Sequence, residues 1–77
     1  MAQTGQNLVG KRVKEARAKV RLTQEELSER LAKLGVSIDR AGVAKIEAGI
    51  RSVLDFELVA LAKALEVKVV WLLGIKE

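Results

Sequence analysis

Among the side chains that could bind a ligand, the cationic ones are the most clearly clustered in this sequence. Lysine and arginine dominate the stretch from Lys11 to Arg21, where only Glu15 carries the opposite charge. Over all 77 residues, 14 Lys and Arg stand against 10 Asp and Glu, for a net charge of +4. Such an excess favours a polyanionic partner, although a solvated helix face explains the same run of charge.

Catalytic side chains are scarce by comparison. The sequence has no histidine and no cysteine, which removes the usual general base, thiolate nucleophiles and the commonest metal ligands. An active site would have to be built from Glu, Asp and Lys alone. We therefore expect a protein that is not an enzyme, and no cofactor is implied.

The length and composition predict one all-α domain with a modest core. Hydrophobic residues make up 49% of the chain and aromatic residues only 3%, so Leu, Val, Ile and Ala must fill the interior. We expect a flexible tail over residues 1–6 and a helical domain over 7–77. No apolar run has the length of a membrane span and no signal-peptide pattern is present, so the expected location is cytoplasmic.

Apolar periodicity and capping residues predict five helices. The inward stripe of the first is expected at Val9, Val13, Ala16 and Val20, that of the second at Leu27, Leu31 and Leu34, and that of the third at Val43, Ile46 and Ile50. The predicted helices run from about Asn7 to Val20, from the Thr23–Glu26 capping box to Gly35, from the Asp39 cap to Glu47 or Ala48 before Gly49, from an Asp55 cap to Leu65, and from Val69 to Leu73.

The outer face of the third predicted helix carries two cations beside small residues. At 100° per residue, Arg40 and Lys45 flank Ala41, Ala44 and Ala48, so this face can approach a surface closely. A capped helix followed by a turn and an exposed, cationic helix is the layout of a helix-turn-helix, which presents its second helix to the major groove of DNA. A plain solvated face is the alternative interpretation.

Two local features remain open at this stage. Gly42 lies inside the third helix, where glycine costs up to about 1 kcal/mol relative to alanine, so it indicates close packing near Ser28 or close approach to DNA. The fifth helix is apolar nearly all round, and either fills the core or meets another subunit. We expect a dimer interface at Val70, Trp71 and Leu72.

Three motifs occur in the order found in one known family. They are Leu-Thr-Gln-Glu-Glu-Leu at Leu22–Leu27, Ile-Glu-Ala-Gly at Ile46–Gly49 and Ala-Lys-Ala-Leu-Glu-Val at Ala62–Val67. In these motifs the chain resembles the helix-turn-helix domain of the phage repressor, Cro and xenobiotic-response-element (XRE) family of transcriptional regulators. The resemblance implies a compact five-helix repressor-like domain that binds double-stranded DNA, with repression as the expected mode and a homodimer as the expected assembly.

The resemblance also implies roles for individual residues. Arg40, Ala41 and Lys45 match base-contacting positions, and Arg17 and Glu47 match a structural salt bridge between the first and third helices. The residues expected to contact DNA phosphates are Gln24, Lys11, Arg12 and Arg51. An ordinary exposed polar residue is the alternative for Gln24.

The chain departs from the family pattern between the second and third helices. The family usually has fewer residues between the positions of Leu27 and Ile46, and the extra length falls within Ala32 to Asp39. Either the second helix is longer by one helical turn, or a loop replaces the tight turn between the two helices. The angle between the second and third helices differs between these two alternatives.

Two other functions fit the same fold. The antitoxin of a toxin-antitoxin pair would bind both DNA and a protein toxin. A protein-interaction module that has lost DNA binding would use the apolar C-terminal helix as its contact surface, and the three alanines on the third helix are compatible with it.

Overall fold

The computed structural model describes residues 7–75 and contains five α-helices in that range. They are α1 (Gly10–Lys19), α2 (Gln24–Lys33), α3 (Arg40–Glu47), α4 (Asp55–Leu65) and α5 (Val69–Leu72). No strand occurs among the described residues, and none of their helices has the length and apolarity to cross a membrane. The predicted all-α class and the order of the helices are confirmed. The expected tail over 1–6 lies outside the described residues.

Local capping signals set the ends of α2 and α3. The Thr23 hydroxyl accepts from the Glu26 N–H at 3.0 Å and the Thr23 N–H donates to the Glu26 carboxylate at 2.8 Å, which completes the predicted capping box. Asp39 accepts from the backbone N–H at position 42 at 2.7 Å. Gly35 and Gly49 have φ of +83° and +77°, the left-handed conformation that ends each helix.

The predicted cap of α4 is wrong by one position. Leu54 is the N-cap residue and Asp55 is the first helical residue. The Glu57 carboxylate accepts from the Leu54 N–H at 2.9 Å, which is the bond that a glutamate at the third helical position makes to its N-cap residue. Leu54 itself has no side-chain oxygen to cap the helix.

Side chains from α1 to α5 meet in one apolar core. Its largest fully buried members are Leu27, Leu31, Ile46, Leu61, Leu65, Leu72, Val13 and Val43. The predictions that Val20, Leu34 and Ile50 point inward are wrong, because these side chains are 36%, 46% and 63% exposed. Val20 and Leu34 are the C-cap residues of α1 and α2, and Ile50 lies three residues beyond the end of α3. At these positions the chain turns, and the helical period no longer decides which side chain faces the core.

The extra residues between α2 and α3 form a loop. Val36 and Ile38 in this loop are buried and belong to the apolar core. The Val36 N–H donates to the Leu31 carbonyl at 2.9 Å, and the Ser28 hydroxyl donates to the Ile38 carbonyl at 2.6 Å. The loop is therefore held against α2, and α3 packs against both α1 and α2.

Gly42 is required by this loop. A Cβ at position 42 would lie 2.8 Å from the Ile38 Cγ2 and 3.1 Å from the Asp39 Oδ1. Close packing is thus present as predicted, but the neighbour is Ile38, and Ser28 acts only by fixing the Ile38 carbonyl.

An ion pair joins α1 to the last residue of α3. The Arg17 Nε lies 2.6 Å from the Glu47 Oε2 and the Arg17 Nη2 lies 3.0 Å from Oε1, while Nη1 donates to the Leu22 carbonyl at 2.8 Å. The side chains are only 17% and 4% exposed. The hydrogen bonds to Glu47 raise the pKa of Arg17.

Replacing Glu47 by alanine should lower stability strongly. Breaking a buried pair from one side costs about 3 to 5 kcal/mol, and we expect the lower end because Arg17 keeps the Leu22 carbonyl and some contact with solvent. Urea denaturation followed by circular dichroism measures the change. Glu29→Ala, an exposed carboxylate of α2, is the matched control, and equal midpoints for the two variants would contradict the account.

Candidate nucleic-acid interface

The outer face of α3 presents two cations that have no partner among the residues that the structure describes. Arg40 and Lys45 are exposed, and neither forms an ion pair or a side-chain hydrogen bond among residues 7–75. Ala41 is exposed and Ala44 half-buried between them, while Val43 and Ile46 on the opposite face are completely buried. The helix is therefore anchored by its apolar face and leaves both positive charges available to a ligand.

Gln24 lies at the first position of α2 and is tied to α3. Its Nε2 donates to the Glu47 Oε1 at 3.1 Å, so the amide joins the Arg17–Glu47 pair. An amide nitrogen carries two N–H groups, which leaves one for an external acceptor. No local signal could have revealed this bond, because it joins residues 23 positions apart.

Arg51, predicted to contact phosphate, makes its hydrogen bonds within the protein. Its Nη1 and Nη2 each lie 3.0 Å from an oxygen of Glu57, and Nη1 donates to the Ser52 carbonyl at 2.9 Å. The Arg51 side chain is 30% exposed and that of Glu57 only 6%. The hydrogen bonds from Arg51 lower the pKa of Glu57, against the opposing effect of burial.

The sequence interpretation did not single out Glu57. Its position in the first turn of α4, three residues after the cap, was the available signal, since glutamate there often serves the N-cap N–H.

The two α1 cations expected at phosphates differ in environment. Lys11 is exposed and forms no ion pair among the described residues. The guanidinium of Arg12 is half-buried and lies 5.0 Å from the centre of the Trp71 ring, within cation–π distance. The Lys19 ammonium lies 5.9 Å from the same ring, so the exposed side of this tryptophan is bordered by positive charge.

The C-terminal helix divides between core and surface. Leu72 is completely buried in the chain's own core, so its assignment to a dimer interface is wrong. The turn at Glu66, with φ of +58°, brings α5 back against α4. The Leu72 side chain then points into the core. Val70 and Trp71 are half-buried and remain accessible.

The Glu57 pair should make stability depend on pH. Because the pKa of Glu57 is lower in the folded state than its ordinary value of 4.5, its contribution is present above that pH and is lost as the pH falls through the folded-state pKa. Glu57→Gln should therefore lose less stability than the wild type between about pH 6 and about pH 3. Urea midpoints at the two pH values test this, with Asp55→Asn as the control, and an equal loss in all three proteins would contradict it.

Comparison with known proteins places the whole arrangement in a family. The model of the helix-turn-helix family matches residues 13–72. No curated protein matches the sequence.

Two solved structures are similar over most of their length. One is the P22 c2 repressor protein in complex with synthetic operator 9T in the presence of Tl⁺, 27% identical, with a TM-score of 0.74 over 91% of this chain and 98% of that chain. The other is the restriction-modification controller protein C.AhdI from Aeromonas hydrophila, 34% identical, with a TM-score of 0.72 over 84% of this chain and 94% of that chain. The chain belongs to the helix-turn-helix family of transcriptional regulators, of the phage repressor, Cro and XRE type.

Proposed function

We propose that this protein is a sequence-specific DNA-binding transcriptional regulator, acting as a repressor, that inserts α3 into the major groove. The observation that carries the proposal is the outer face of α3. There Arg40 and Lys45, which have no partner within residues 7–75, flank small side chains on a firmly anchored helix. The major groove is wide enough to admit an α-helix. One structural neighbour is a repressor in complex with operator DNA, which supports the proposal.

Base recognition falls to the exposed residues of α3. Arg40 can donate two hydrogen bonds to the O6 and N7 atoms of a guanine, and Lys45 can donate to the same acceptors. The methyl group of Ala41 would lie close to the base edges, where apolar contact with thymine methyl groups contributes to selectivity.

Phosphate contacts would set the position of α3 in the groove. Lys11 is exposed, and Gln24 has one N–H left over from its bond to Glu47. Arg51 would contact phosphate through the N–H groups that its bonds to Glu57 and Ser52 leave unused, and Arg12 would do so while stacked on Trp71.

A homodimer on a two-fold-related operator completes the proposal. Val70 and Trp71 are apolar, partly accessible and adjacent on α5, and a second copy of the chain would cover both.

The other functions considered from the sequence receive less support. Both neighbours are named for regulation, one as a repressor and one as a controller protein, which favours a regulator over an antitoxin with a toxin partner or a module that has lost DNA binding. A transcriptional regulator must share a compartment with the DNA that it binds, so the proposed location of this protein is the cytoplasm.

Removing the Arg40 side chain should reduce sequence discrimination. Losing a bidentate guanine contact costs about 1 to 3 kcal/mol and relaxes preference at one base pair. With an operator selected from a random DNA pool, Arg40→Ala should bind it much more weakly while its affinity for unrelated DNA changes little.

Lys11→Ala is the matched comparison, since removing a phosphate contact weakens both DNAs alike and reduces the salt dependence by about one counterion. If Arg40→Ala instead behaves as Lys11→Ala does, α3 is not the element that reads bases.

A charge at the proposed dimer surface should separate the subunits. Val70→Asp places a carboxylate where an apolar contact is proposed, and desolvating that charge without a partner is costly. Sedimentation equilibrium should show a dimer for the wild type and a monomer for the variant, with Val59→Asp on the exposed side of α4 as the control. A wild type that is monomeric at high concentration would contradict this interface.

A further inference from the structure

The Asn7 side chain, which precedes α1, connects the start of α1 with the end of α3. The Asn7 Oδ1 accepts from the N–H groups of Val9 at 3.0 Å and Gly10 at 2.7 Å, the residues at which α1 begins. Its Nδ2 donates to the Ile46 carbonyl at 3.2 Å and to the Arg51 carbonyl at 2.8 Å. A single amide therefore holds the start of α1, the last turn of α3 and the segment that follows α3.

Close backbone packing allows so short a side chain to reach across. A Cβ on Gly10 would overlap the Ile46 carbonyl oxygen and would lie 3.1 Å from the Glu47 carbonyl oxygen. The first turn of α1 thus lies directly against the last turn of α3. This contact is independent of the Arg17–Glu47 pair, because Arg17 lies near the other end of α1.

Two attachment points restrict orientation more strongly than one. From Gly10 to Arg17 the axis of α1 advances about 10 Å at 1.5 Å per residue, so Asn7 and Arg17 hold the end of α3 from well-separated places. Without one of them, a single polar attachment would remain beside the apolar packing of α3, and polar bonds define direction more sharply than apolar contacts do. The orientation matters because Lys11 on α1 and Arg40 and Lys45 on α3 must reach the same DNA duplex together.

We propose that Asn7 is a positioning residue for DNA recognition, fixing the angle at which α3 is presented relative to α1. This inference rests on the proposed function. Asn7 touches no base in the proposal and acts through the carbonyls of Ile46 and Arg51.

The chemistry of the amide separates its two tasks. Serine and aspartate cap helices about as well as asparagine does, so either variant keeps the acceptor that α1 needs. Neither can replace the two N–H donors. Aspartate would also place a carboxylate against two carbonyl oxygens near the negative end of the α3 dipole.

The test compares Asn7→Ser and Asn7→Asp with the wild type at a temperature where circular dichroism shows each to be folded. Affinities for a selected operator and for unrelated DNA give a specificity ratio per folded molecule. We expect this ratio to fall by roughly fivefold or more in both variants, as for one misplaced base contact. Ala60→Gly, which removes a buried methyl group from α4, should lower stability and leave the ratio unchanged.

The outcomes separate this inference from the proposed function. A wild type that prefers an operator, together with folded Asn7 variants that keep the wild-type ratio, overturns the positioning role and leaves the function standing. A wild type with no affinity for DNA overturns both. A fall in the ratio in Ala60→Gly equal to that in the Asn7 variants also overturns the positioning role, since any loss of stability would then produce it.

Discussion

The Arg17–Glu47 ion pair is the interaction on which the arrangement of α1, α2 and α3 depends. Glu47 is the last residue of α3, and its side chain is only 4% exposed, so its carboxylate oxygens need hydrogen-bond donors from within the protein. Arg17 supplies two hydrogen bonds from α1 and Gln24 supplies a third from α2. One buried charge thereby ties the first three helices together.

The value of such a pair lies more in geometry than in net stability. Replacing a buried ion pair by apolar side chains is often neutral or stabilising, because the attraction between the charges does little more than offset their desolvation. An apolar contact, however, tolerates sliding, whereas two hydrogen bonds between a guanidinium and a carboxylate define direction as well as distance. In the proposed DNA complex, where α3 presents Arg40 and Lys45 at a set angle, that restriction would favour recognition.

The six cations assigned a role above differ in whether the protein itself supplies them with a partner. Arg17, Arg51 and Arg12 are held by Glu47, Glu57 and the Trp71 ring, and they organise the fold. Arg40, Lys45 and Lys11 have no such partners among residues 7–75 and keep their charge available for a ligand. In the proposal, Arg51 and Arg12 reach phosphate only with the N–H groups that these contacts leave over, whereas Arg40, Lys45 and Lys11 can use their whole charged group.

Local signals predicted most of the fold. The Thr23–Glu26 capping box, the Asp39 cap and the stops at Gly35 and Gly49 act over a few residues, and all are present. The errors begin where helices end, because Ile50 and Leu34 lie beyond the range in which helical periodicity assigns a face.

Polar contacts between distant residues were mostly beyond the reach of the sequence. Resemblance to a family indicated the Arg17–Glu47 pair, which is present in the structure. The contacts of Asn7 and the Arg51–Glu57 pair had no such indication, because they depend on where the folded backbone places carbonyl and carboxylate groups to within an ångström.

A coupling measurement between α3 and one base tests the central claim most directly. Replacing guanine by 7-deazaguanine removes the N7 acceptor and leaves base pairing intact, so the operator can be altered one guanine at a time for the wild type and for Arg40→Ala. The account predicts one position at which the replacement costs the wild type about 1 to 3 kcal/mol and costs the variant almost nothing. Equal costs for the two proteins at every guanine would contradict base recognition by Arg40.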